Sequence, residues 1–156
     1  MSNRIVASVE PVSGRVEAHT EGGMNLPLDA DGLEAPSPIE GLLASLAGCT
    51  AVDVASILRK KRQSAVEYEV AVDGDRTEEH PRVFTAIRVE HRVRGSVEPE
   101  ALRRSIELSA TTYCPVSAML SAVARVEHRY RLIDDAGDEH EAVVTVLGPG
   151  GRRLPA

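Results

Sequence analysis

The chain has 156 residues, 42% of them hydrophobic and 27% charged, with a formal net charge of −6. That length suits one domain burying roughly 70% of its unfolded surface. With no Trp, one Phe and three Tyr, aliphatic side chains must fill the core, and an acidic chain without aromatic platforms excludes nucleic acid as a partner.

Two cysteines and no apolar signal run in MSNRIVASVE point to a reducing cytoplasm. No stretch reads as approaching membrane-spanning length, so no membrane is expected. Arg4–Val12 and Gly14–Thr20 read as two strands about a turn at Pro11–Gly14. Met24–Leu28 reads as a short edge strand, because Pro27 cannot serve a central ladder. A loop rich in Asp, Gly and Pro then leads to SPIEGLLASLAGCTAVDVASILRKKRQ, Ser37–Gln63. This is one long helix. Ser37 and Glu40 form a capping box, Pro38 suits the first position, and Arg59–Arg62 complement the dipole at the end. Its middle is made of small residues and holds Cys49.

Val66–Val72 and Val83–Val93 alternate strictly as two half-buried antiparallel strands. A second helix buries Ala101, Leu102, Ile106 and Ser109, and a third, short one begins at Cys114-Pro115. Arg125–Ile133 and Glu141–Leu147 form a final hairpin around Asp134–Asp138. Blocks of strands separated by helices predict an α+β fold in a single domain over residues 1–147, with residues 148–156 as a disordered tail.

Local context favours Cys114 as the reactive thiol, since a helix N-cap offers free amides and a dipole that stabilise a thiolate. Cys49, mid-helix, is expected to be buried, which would raise its pKa. The alternative is a small core residue filling a gap, a reading that suits Cys49 better than Cys114. Asp53 falls one turn after Cys49 on the same helix side, where a structural role is the simpler reading. His91 and His128 lie on apolar strand faces and read as satisfied core histidines. Without Cys-x-x-Cys or clustered Cys/His spacing, no metal site is expected, and without a phosphate-binding glycine loop, no nucleotide cofactor.

Ser-Pro-Ile-Glu-Gly with Gly-Cys49-Thr-Ala-Val-Asp, followed later by Tyr113-Cys114-Pro-Val-Ser, resembles the OsmC/Ohr family of osmotically inducible and organic hydroperoxide resistance proteins, across nearly the whole chain. The resemblance implies an OsmC-like fold, with antiparallel sheets wrapped around a long central helix in an intertwined homodimer. It implies a thiol peroxidase in oxidative-stress defence. Cys49 would attack a hydroperoxide, and Cys114 would resolve the sulfenic acid as a disulfide. An external dithiol or lipoylated protein would reduce the pair, with no resident cofactor. Peroxidatic members also use an Arg–Glu pair beside the reactive thiol, for which Arg15 and Glu40 are the candidates here. Glu40 lies nine residues before Cys49, half a revolution away on an ideal helix. The alternative is a non-catalytic small-ligand-binding or redox-sensing protein on the same scaffold.

Overall fold

Two compact units make up the chain, residues 1–44 and 45–156. The computed structural model describes residues 3–149 and the backbone of 153–154. In the first unit β1 (Ile5–Val9), β2 (Arg15–Thr20) and β3 (Asn25–Asp29) pair antiparallel in that order. Pro27 sits in the edge strand, as a residue without an amide donor should. The first turn closes on Gly14, whose φ of +74° suits glycine and whose N–H donates to Glu10 O at 2.9 Å. Asp29 is buried and accepts the amides of Asp31, Leu33 and Glu34, which hold its carboxyl below the usual range.

Among the described residues of this unit only Ala18 and Asp29 are buried, while Ile5, Val6, Val9 and Leu26 are exposed. The three-stranded sheet therefore carries apolar side chains on both faces without a core of its own.

α1 (Pro38–Lys60) crosses the boundary between the units. The expected capping box opens it: Ser37 Oγ accepts the Glu40 amide at 3.4 Å, and Glu40 accepts the Ser37 amide at 2.8 Å. At its other end Arg62 adopts φ 57°, and the Gln63 amide reaches back to Leu58 O at 3.0 Å. Leu46, Thr50, Val54 and Leu58 form one buried stripe at four-residue spacing. At 23 residues the helix is long and apolar enough to cross a membrane, which corrects the expectation that no stretch approaches that length. The core helix of an α+β domain passes the same test by length and composition alone.

The second unit holds a five-stranded sheet in sequence order: β4 (Ser64–Arg76), β5 (Phe84–Ser96), β6 (Arg125–Ile133), β7 (Glu139–Leu147) and β8 (Arg153–Leu154). All neighbours are antiparallel except β5 and β6. Parallel strands need a crossover, and here it is α2 (Pro99–Leu108), a π-helical turn (Ser109–Tyr113) and α3 (Pro115–Leu120). Gly95, at φ +132°, faces the bulge between Ala65 and Glu67, where a Cβ would run into Ser64 O and the Val66 amide. Val54 and Leu58 of α1 join Val93, Val97, Leu102, Ile106, Tyr130 and Leu132 in one core. The expected tail is described only at Gly148, Pro149 and the short β8, which lies along β7; its remaining residues lie outside the described residues.

Candidate functional site

Cys114 reaches its place through an irregularity that its own sequence explains. Ser109-Ala-Thr-Thr-Tyr113 contains weak helix formers, and α2 widens there into a π turn closed by the Cys114 amide on Ser109 O at 2.9 Å. Pro115 bars Cys114 from the α region, so it stands extended at φ −76°, ψ 106°. Pro115 then opens α3, making Cys114 its N-cap as expected, and the Ser117 amide donates to Cys114 Sγ at 3.3 Å.

The expected thiolate does not follow from that cap. Cys114 is only 3% exposed, and burial pushes its thiol up to about 11, with the proximity of Cys49 adding to the shift. Cys49, expected to be buried, is instead half-buried. It is therefore the more accessible of the two thiols, because the small residues of mid-α1 leave that part of the helix partly uncovered.

The fold brings the two cysteines together with Asp53. One ligand atom from each (Cys49 Sγ, Cys114 Sγ and an Asp53 carboxylate oxygen) lies within 4.8 Å of the others. Both thiols are free. Asp53 Oδ2 accepts the Ser109 hydroxyl at 3.0 Å, and Ser109 Oγ lies 3.1 Å from Thr50 Oγ1. Because Ser109 spends its one proton on Asp53, Thr50 is the donor to Ser109. The π turn thus positions a hydroxyl that orients Asp53 and an amide-bound sulfur a few residues later. Asp53 takes the Ser109 hydroxyl, in keeping with the structural role expected from sequence, and also lies beside the two thiols.

Behind Cys114 runs a second polar chain that sequence reading saw only as isolated core histidines. His91 and His128 are fully buried. The Tyr68 hydroxyl lies 2.8 Å from His91 Nδ1, His91 Nε2 lies 3.5 Å from His128 Nδ1, and His128 Nε2 lies 3.3 Å from Ser117 Oγ. One proton per imidazole satisfies every link. Burial pushes His128 down to about 4; burial and then His128 push His91 well below its ordinary value. Both rings are neutral at pH 7. Burial, followed by the negative charge of Asp53, raises the Tyr68 phenol. The register of β4, β5 and β6 sets Tyr68 opposite Val93, His91 opposite Val70 and His128 opposite Val89, so the three groups meet diagonally, two residues out of step on neighbouring strands.

Arg15 and Glu40 lie in the first unit. The structure does not pair them. Arg15 is ion-paired with Glu34, and Glu40 is engaged by Ser37, whose hydroxyl donates to it at 2.6 Å. A carboxylate three residues from its cap is held by local geometry, which is why Glu40 is not free to meet a strand arginine.

Among known proteins, the family model described as OsmC-like protein matches residues 30–129. Protein YhfA of Escherichia coli K12 is 42% identical over 103 residues, 65% of this chain and 77% of that protein. The crystal structure of a hypothetical protein from Aquifex aeolicus VF5 superposes with a TM-score of 0.78 at 26% identity, over 86% of this chain and 98% of the other. OhrB of Bacillus subtilis, an organic hydroperoxide resistance protein, superposes with a TM-score of 0.59 over 83% of this chain and 98% of its own. At 13% identity that is a likeness of fold alone.

Proposed function

Because this chain belongs to the OsmC-like protein family, we propose that it is a cysteine-based thiol peroxidase that reduces organic hydroperoxides in stress defence. One observation carries the reading: Cys49 and Cys114, distant in sequence, meet with their sulfurs within 4.8 Å. Burial supports the division of roles: Cys49 is half-buried, as suits the thiol that meets substrate, and Cys114 is buried, as suits the one that resolves.

The thiolate of Cys49 attacks the terminal peroxide oxygen, the O–O bond breaks, and the alkoxide leaves as the alcohol after taking a proton. Cys114 Sγ then attacks the sulfenic sulfur, and hydroxide departs as water as the disulfide forms. The two sulfurs need only a modest approach to reach bonding distance. An external dithiol, of which a lipoylated protein is one form, restores both thiols by exchange. Arg15 and Glu40 would serve as activator and partner only after leaving the pairings they hold here.

A cytoplasmic homodimer is part of the proposal. The two-faced apolar sheet of the first unit and the exposed Leu42 and Val52 of α1 support it, since such surfaces are stabilised by a second copy. Turnover tests the chemistry. With cumene hydroperoxide and a dihydrolipoamide reductant, the native protein should consume peroxide catalytically, and Cys49→Ser should abolish that activity. Equal turnover by native protein and Cys49→Ser would overturn the assignment.

A further inference from the structure

We propose that the reduced protein binds a thiophilic divalent cation of the zinc class through Cys49 Sγ, Cys114 Sγ and one carboxylate oxygen of Asp53, with a fourth position open to water or ligand. The three ligand atoms already lie within 4.8 Å of one another. Sulfurs held tetrahedrally on zinc are about 3.8 Å apart, so small side-chain rotations close the site. Cys49 and Asp53 stand one turn apart on α1, a spacing that puts both on one helix face. Cys114 comes from the N-cap of α3, so a rigid helix and a second element supply the ligands.

Each outer ligand has a partner of the kind that orients metal ligands. The Ser109 hydroxyl donates to Asp53 Oδ2 at 3.0 Å and the Ser117 amide donates to Cys114 Sγ at 3.3 Å. Two sulfurs and one carboxylate select a borderline-soft cation over magnesium or calcium, which take oxygen sets. The half-buried Cys49 and Asp53 leave a route of entry. The sequence conceals this site because no two of its cysteines stand at ligand spacing; the fold assembles it. On binding, each thiol gives its proton to solvent and each sulfur donates a lone pair to the metal, with no change of oxidation state. The inference is independent of the hydroperoxide reading, and its test contains no peroxide.

Reduced full-length protein is titrated anaerobically with Co2+. The expected result is sulfur-to-cobalt charge-transfer absorption that saturates at one equivalent per chain and is lost when Zn2+ displaces the cobalt. Cys49→Ser and Cys114→Ser should each weaken or remove the band, and the near-isosteric Asp53→Asn should weaken binding by at least about ten-fold. X-ray absorption of the zinc-loaded native protein should show two sulfur neighbours at about 2.3 Å, a readout that needs no variant to fold. Absence of the charge-transfer band at saturating Co2+, fewer than two sulfur neighbours on zinc, or unchanged affinity in a folded Asp53→Asn would each overturn the proposal.

Discussion

At Cys114 the amides of the first turn of α3 and the desolvation of a buried thiol act on one sulfur with opposite sign, and desolvation wins. In the proposed mechanism the resolving step therefore speeds up with alkalinity: in Cys49→Ser, which keeps the burial but loses the contribution of Cys49, alkylation of Cys114 should still rise only above the ordinary thiol range, and a midpoint below 9 would contradict the burial argument. Stability follows by linkage. A thiol whose folded pKa is raised contributes below its unfolded value, and that contribution is lost as pH rises through the folded one. The histidine chain works at the opposite end of the scale. His91 and His128 are held neutral below their ordinary value, so between pH 6.5 and about 4 the unfolded chain binds more protons and stability falls. Urea midpoints should drop across that window, and drop less in His128→Gln; equal slopes would remove the histidines as the cause. That these two rings touch was not legible from sequence, because alternation shows which face a residue occupies but not which strand lies beside it.

Elements were the most legible level. Ser37 and Glu40 predicted the opening of α1, and the bonds between them form as expected. Ser37→Ala should cost about 1 kcal/mol in chemical denaturation; no measurable change would deny the cap its role. In the core, Leu102 is fully buried among Val54, Ile106 and Leu132. Leu102→Ala should cost about 2–5 kcal/mol, and a loss under 1 kcal/mol would mean the site collapses around the gap. Strand alternation located β4 to β7, whereas the parallel β5–β6 pair depended on where the crossover returns the chain. The π turn left no periodic trace either, since one extra residue per turn in a five-residue segment is too short to shift a pattern. Yet it places both Ser109 and Cys114.

For the whole molecule, the single chain leaves Ile5, Val6, Val9, Leu26 and Val52 exposed, and sedimentation should find twice the 16.7 kDa chain mass rather than a monomer. The meeting of Cys49 with Cys114 could be anticipated only by resemblance to a family, because a contact between α1 and the N-cap of α3 is a property of the tertiary fold. Asp53 could be placed beside Cys49 from helix phase alone. The Arg15–Glu40 pair had no surrounding motif to fix it, and each residue has a nearer partner. The most direct test of the central claim is free-thiol content by mass spectrometry after one equivalent of cumene hydroperoxide is added to the reduced protein. Rapid loss of two thiols as a Cys49–Cys114 disulfide, with sulfenic acid trapped on Cys49 in Cys114→Ser, is the predicted result. Two thiols that survive minutes of exposure would contradict it.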